Sequence, residues 1–227
     1  VNPWIIAPTV LPAILGALIV LGLRNHTVQA RVVSIAGCCA LLAIAIGLTV
    51  TSATGAVETY AVGDWPAPFG IILVLDRLAA MMLLLTAILG LVVGVYAAAT
   101  RLDRKGWHFH ALLQMQMLGL NGAFLTGDLF NLFVFFEVLL IASYCLMLHG
   151  GGSGRMKAGV QYVIINLVGS TLFLVGVGLL YGVTGTLNMA DMGRRIAAAP
   201  AADGGLITAG CLVLMTVFAL KAAVVPL

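Results

Sequence analysis

The chain has 227 residues, of which 62% are hydrophobic and only 8% charged, with a mean hydropathy of +1.15. Soluble domains carry about 25% charged residues to cover their surface, so this composition excludes a water-soluble fold, a disordered chain and a coiled coil. Eleven Lys+Arg against eight Asp+Glu leave no basic face for nucleic acid. The apolar runs are continuous over about 20 residues, not alternating as in a membrane barrel. What remains is an all-α, polytopic membrane protein.

Hydropathy marks seven candidate transmembrane helices, at 3–23, 32–53, 71–99, 109–126, 128–148, 158–181 and 205–227. Each is close to the ~20 residues that cross ~30 Å of hydrocarbon. The first has no basic region ahead of it and no small-residue cleavage site after it, and reads as a retained helix. The odd connections hold Arg24, Arg31, Arg101, Arg104, Lys105, Arg155 and Lys157 with a single acid, Asp103. The even connections hold nine charges, of which only Arg77, Arg194 and Arg195 are basic. An excess of Lys and Arg marks the cytoplasmic side, so the N-terminus is expected outside the cell.

Two outer connections are long. Thr54–Gly70 carries Tyr60, Trp65, Pro66 and Pro68 and is expected to lie at the interface. Gly182–Gly204 could form a short amphipathic surface helix around Asp191, Arg194 and Arg195, or an ordered polar loop. The stretch Gly150-Gly151-Gly152-Ser153-Gly154 lacks the Gly-Lys-Ser/Thr of a phosphate loop and reads as a flexible turn. Cys38, Cys39, Cys145 and Cys211 lie in apolar runs without ligand spacing and read as small buried hydrophobes. Met115, Met117, Met147 and Met189 read as packing. No metal site, flavin fingerprint or nucleotide loop is present, and no cofactor is expected.

Of the nineteen formal charges, only Glu137 and Lys221 fall well inside a span. An ionisable group at a helix centre costs about 2.5–3.5 kcal/mol on insertion scales, which apolar packing would avoid. Glu137 is nine residues from Asp128, so ~13.5 Å along the helix and close to the midplane. Its structural alternative is a protonated acid making one interhelical hydrogen bond. Lys221 lies ~22 Å from Leu206, off-centre toward the cytoplasm, where snorkelling is the alternative. Pro226 argues against snorkelling, because it cannot donate to the carbonyl of Ala222 and breaks the helix near the lysine. Broken membrane helices line cavities and ion sites. Pairing favours the charged forms of a carboxyl and an amine, and desolvation favours the neutral forms. A changing separation therefore makes a proton switch, although the sequence does not show that the two touch.

Other polar residues recur in the later spans: Gln114, Gln116, Asn121, Thr126, Asn131, Ser143, Tyr144, Gln161, Asn166, Ser170 and Thr171. Singly each fits a helix–helix hydrogen bond; together they suggest a hydrated track. His110 and His149 lie near the cytoplasmic ends of spans four and five. His149 is ~18 Å from Glu137 along the helix, so only waters or other side chains could connect them.

The run Gly119–Tyr144, with Gly127-Asp128-Leu129-Phe130-Asn131 and Phe136-Glu137, resembles the D-type subunit of the Mrp (Mnh, Pha) monovalent cation/proton antiporters. So do Gln161–Ser170 and Leu180–Asp191, and the resemblance covers essentially the whole chain. More broadly, Phe136-Glu137 and Phe218-Ala219-Leu220-Lys221 with Val225-Pro226 are similar to the antiporter-like subunits of respiratory complex I. The resemblance implies a key glutamate at Glu137 and a key lysine at Lys221 in a broken helix. It also implies about fourteen spans around two inverted five-helix repeats. Residues 1–100 would then be helices one to three, and 101–227 the start of the first repeat. The chain would be an N-terminal half, without transport on its own.

The reading is an ion-translocating subunit of a multisubunit Na+/H+ (or K+/H+) antiporter in the bacterial inner membrane. Its partners would be the other subunits of the complex, the bilayer, H+ and Na+ or K+. The proton and ion path is assigned to Glu137, Lys221, His149, Asn131, Tyr144 and Asn166, with Pro226 as the helix break. The alternatives are a proton-pumping subunit of a complex I-type NADH:quinone oxidoreductase and a membrane scaffold without an ion path.

Overall fold

A computed structural model describes residues 2–65 and 70–224. Its helices are α1 (Ala7–Gly22), α2 (Thr27–Ser52), α3 (Arg77–Ala99), α4 (Phe109–Leu125), α5 (Leu129–Met147), α6 (Ser153–Thr184), α7 (Met189–Ala197) and α8 (Gly204–Lys221). Six of them, α1 (with the 3-10 turn before it), α2, α3, α5, α6 and α8, are long and apolar enough to cross a membrane. α4, at 17 residues, is slightly shorter. The chain is a multi-pass membrane protein.

Two helices start earlier than hydropathy suggests. α2 begins at Thr27, so Arg31 sits in its first turns and not in a loop. α6 begins at Ser153 and runs for 32 residues, ~48 Å, well beyond the hydrocarbon. Hydropathy marks where a chain enters lipid, while hydrogen bonding and caps decide where a helix begins.

The structure adds a short antiparallel hairpin to the expected all-α architecture. β1 (Glu58–Ala61) pairs with β2 (Ile72–Leu75), placing Glu58 opposite Leu75 and Ala61 opposite Ile72. The apolar run at 71–75 is therefore strand, and the third span starts only at Arg77. Asp76 makes that boundary: its carboxylate accepts from the Ala79 amide at 2.7 Å and caps α3. Of the outer loop, Pro66 and Pro68 lie outside the described residues. Gly182–Gly204 does form a surface helix, α7, capped by Asn188. Its Met192 is buried, while Arg194 and Arg195 reach back to Asp191 at 3.2 and 2.9 Å.

The two larger of three buried apolar clusters among the described residues divide the chain between α4 and α5. One joins α2, α3, α4 and the hairpin through Leu41, Leu73, Leu75, Leu83, Leu113 and Met117. The other joins α5, α6, α7 and α8 through Leu129, Phe173, Leu180, Met192 and Val217. α4 bridges the two, packing on α1, α3 and α5. Its contact with α5 is close because Gly119 has no side chain: a Cβ there would lie 2.6 Å from the Leu139 Cβ and 2.7 Å from its backbone nitrogen. Small residues serve this purpose between membrane helices.

Candidate ion-translocation site

α5 carries most of the site. It is 19 residues long, and Glu137 lies ~12 Å from its first residue and ~15 Å from its last, so near mid-membrane. Asp128 fixes the start of α5 by accepting from the Asn131 amide at 2.8 Å. The half-buried Glu137 side chain points to α6, where the Ser170 hydroxyl donates to its Oε1 at 2.5 Å. Ser170 is itself buried.

Lys221 stands on the last residue of α8. It is half-buried, and its Nζ has no hydrogen-bond partner among the described residues. What it meets is the face of Phe136, with Nζ 5.2 Å from the ring centroid, an arrangement that attracts an ammonium to the ring's negative face. No carboxylate of the described residues lies within 4.0 Å of Lys221. Glu137 and Lys221 are thus neighbours of one another through Phe136 and do not form an ion pair. A cavity of about 470 Å³ opens beside the lysine, lined by Leu120, Phe136, Leu139, Tyr162, Asn166 and Lys221 among others.

α8 stops at Lys221 by its own backbone geometry. The amide of Val224 bonds to the Ala219 carbonyl at 3.0 Å, and that of Ala223 to the Leu220 carbonyl at 3.1 Å. This is a Schellman closure with Ala223 in the left-handed position (φ 52°) that favours glycine. Pro226, the expected break, lies outside the described residues.

The remaining candidates are spread along α5 and α6. Asn131 donates to the Thr126 hydroxyl at 2.9 Å, within the outer cap of α5 and six residues from Glu137. Asn166 lines the Lys221 cavity, and its amide donates back to the Tyr162 carbonyl at 2.9 Å. Tyr144 packs edge-on against Tyr162 with centroids 5.4 Å apart. His149 lies buried just beyond α5, its Nε2 bonded to the Leu102 carbonyl at 3.0 Å. Since a carbonyl only accepts, Nε2 carries the hydrogen. The structure brings Glu137 to Ser170 and Lys221 to Phe136 and Asn166. It does not join Asn131, Tyr144 or His149 to either charge by direct hydrogen bonds.

Ser170 is one residue of the hydrated track that the sequence suggests, without the specific role the structure gives it as the partner of Glu137, and the sequence assigns Phe136 no role of its own. Spacing held a signal: Tyr162, Asn166 and Ser170 follow at i, i+4 and i+8 on one face of α6. Several other polar residues serve packing. Gln114 donates to the Ser34 carbonyl and hydroxyl, both at 3.1 Å, and Asn121 to the Pro8 carbonyl at 2.9 Å.

A second polar cluster lies at the end of α4 nearest the odd connections. Asp103 is buried and accepts two bonds from Arg31, at 2.7 and 3.0 Å, and one from His110 at 3.1 Å. Burial alone would raise its carboxyl; the bonds and charges of Arg31 and His110 outweigh this and hold it below the ordinary carboxylate value. His108 is pushed below its ordinary value, first by burial and then by the neighbouring His149.

The chain and its fold have counterparts among known proteins. Residues 126–227 match the family described as NADH:quinone oxidoreductase/Mrp antiporter, transmembrane. Over these residues the chain belongs to this family. It is 55% identical over 168 residues, 74% of the chain, to the D-type subunit of a probable K(+)/H(+) antiporter of Rhizobium meliloti, covering 31% of that protein. It is 40% identical over its full 227 residues to the D-type subunit of a Na(+)/H(+) antiporter of Alkalihalophilus pseudofirmus, covering 45% of it. In a structure of the Mrp complex from Dietzia sp., one chain superimposes with a TM-score of 0.86 at 33% identity. That match takes in 98% of this chain and 41% of the other. The chain thus spans less than half the length of these relatives.

Proposed function

We propose that this chain forms the first part of an ion-translocating subunit of a multisubunit monovalent cation/proton antiporter. Cation efflux is driven by the proton gradient through Glu137 and Lys221. Residues 1–100 supply helices one to three, and 101–227 the start of the first antiporter repeat. The other subunits of the complex are its partners, and Na+ or K+ exchanges for H+. The basic residues of the odd connections support an N-terminus outside the bacterial inner membrane.

One observation carries the reading: Lys221 is a half-buried amine without an acid partner among the described residues, beside a cavity and one aromatic ring away from a mid-membrane carboxyl. A charge in that state gains from any approach of Glu137, and Glu137 is held back only by a serine hydroxyl. Moving the carboxyl between Ser170 and Lys221 trades a neutral partner for a charged one. It thereby favours proton release from Glu137 in one position and proton uptake in the other. Asn166, Tyr144, Asn131 and His149 supply polar stations along the same two helices, which waters would connect.

The family description joins two machines, so a proton-pumping subunit of a complex I-type oxidoreductase is the second reading. It uses the same two groups and differs in what drives them. The test is antiport in everted vesicles containing the full-length complex, normalised to assembled protein. Glu137→Gln keeps the size and removes the titratable proton, and should nearly abolish exchange. Glu137→Asp retracts the acid by one methylene and should keep partial activity. Wild-type exchange by Glu137→Gln would end the assignment.

A further inference from the structure

A cleft of about 310 Å³ lies on the side of the odd connections, away from Glu137 and Lys221. Its walls are Val93 of α3, Leu113 of α4, and Leu146 and Met147 of α5; His149 and Arg155 stand at its polar end. Val93 is exposed and six residues inside the end of α3, so the cleft reaches ~9 Å into the bilayer. The volume is at the lower end of small-molecule sites, roughly 300–1,000 Å³.

The mouth is basic. Arg155 donates to the His149 carbonyl, and the side chains of Arg155 and Lys105 converge on Gly150. A Cβ at Gly150 would lie 3.1 Å from the guanidinium and 3.2 Å from the lysine Cδ. Among the described residues neither cation has a carboxylate within 4.0 Å. The nearby acid, Asp103, is already taken by Arg31 and His110. Trp107 sets the depth: it is 40% exposed, with the Arg24 guanidinium 4.7 Å above its ring. Tryptophan in such a setting sits at the headgroup level of a bilayer.

From this juxtaposition we infer that the cleft binds an anionic glycerophospholipid. Its phosphate sits between Lys105 and Arg155, and the start of an acyl chain lies along Val93, Leu113 and Met147. Unpaired cations at headgroup depth attract anionic lipid, and a guanidinium matches phosphate geometry. The apolar walls would otherwise need a second protein surface, which would have to bring its own acids to the mouth. The inference is independent of the antiport reading.

The test uses the full-length complex in nanodiscs, in a cysteine-free background carrying Met147→Cys labelled with bimane. Brominated phosphatidylglycerol should quench the label with about tenfold preference over brominated phosphatidylcholine. Lys105→Gln with Arg155→Gln should bring the preference to about one, while Lys105→Arg with Arg155→Lys and the exposed Arg104→Gln should keep it. Thermal denaturation of each variant verifies assembly. Added inorganic phosphate should leave the quenching unchanged. Equal quenching by the two lipids would overturn the assignment, as would a preference that survives the double Gln variant. No quenching by either would show that a protein partner covers the cleft, and loss of the preference with inorganic phosphate would show a site for the free anion. Both would reject the lipid.

Discussion

The two halves of this bundle treat buried polar groups in opposite ways. In α1–α4 the charges and side-chain donors are tied down: Arg31 and His110 to Asp103, Gln114 to Ser34, Asn121 to the Pro8 carbonyl, although the side-chain oxygens of Gln114 and Asn121 have no partner among the described residues. In α5–α8 the mid-span Glu137 and the helix-end Lys221 are left short of partners among the described residues, Glu137 with a single serine and Lys221 with an aromatic ring. A satisfied polar group is glue; a buried ionisable group without a partner is expensive and is retained for what it can do. The difference identifies which polar residues belong to architecture and which to transport, a distinction that residue type alone does not make.

The sharpest way to break this comparison is Lys221→Met. The side chain is similar in length, and removing a desolvated charge without an acid partner should leave the thermal stability of the complex equal or higher. Antiport should fall to near background, because Glu137 loses the charge it responds to. A variant that is destabilised and yet transports normally would place Lys221 with the glue.

Asp103→Asn asks the converse question in the other half. Breaking a buried ion pair by removing one partner costs on the order of 3 kcal/mol, here softened because Arg31 is partly exposed. The variant should melt earlier while the assembled fraction keeps its exchange activity. It also has a pH signature. The Asp103 carboxyl titrates below its ordinary value in the folded chain. Its stabilisation is therefore complete above the unfolded value of about 3.9 and disappears as pH falls through the lower, folded value. Acid unfolding should be shallower in Asp103→Asn than in the parent. Equal steepness would remove Asp103 from the network.

Much of the site is legible in the sequence, because an acid or a lysine inside an apolar run of 20 residues has few innocent explanations. The helix order is legible too, since each span is far above the noise of hydropathy. What is hidden has physical causes. The β2 strand at Ile72–Leu75 is as apolar as the helix that follows, and only Asp76, one residue before Arg77, marks the change. Asp103 reads as a lone loop acid because its partner Arg31 is 72 positions away. Lys221 reads as a candidate partner for Glu137, whereas in the structure Glu137 accepts from Ser170 of a third helix and Lys221 faces the Phe136 ring. Pairings of this kind are set by packing, which the linear order does not encode.

Gly119→Ala tests the bridge between the halves. The added carbon meets the backbone of Leu139, which cannot swing aside as a side chain could. Overpacking of this sort costs about 1–3 kcal/mol. Leu139 also lines the Lys221 cavity, so the variant should lose stability, less than Asp103→Asn loses, and part of its exchange rate, less than Lys221→Met loses. Unchanged melting in Gly119→Ala would show that α4 and α5 can separate freely.

The smallest effect is expected at Gln114, and it sharpens the meaning of glue. Its amide nitrogen donates to Ser34, while its Oε1 is buried with no partner among the described residues. Gln114→Leu loses the donated bonds, worth about 1 kcal/mol net, but also removes an orphaned acceptor. The remaining cost lies in the Ser34 hydroxyl, which loses its donor in the span interior. Adding Ser34→Ala removes that hydroxyl as well, so the double variant should return toward parental stability, with antiport untouched throughout. A double-mutant cycle of melting temperatures measures the coupling directly. Losses that simply add would mean that Gln114 and Ser34 act independently, and that even a satisfied hydrogen bond in this half is not what holds α2 to α4.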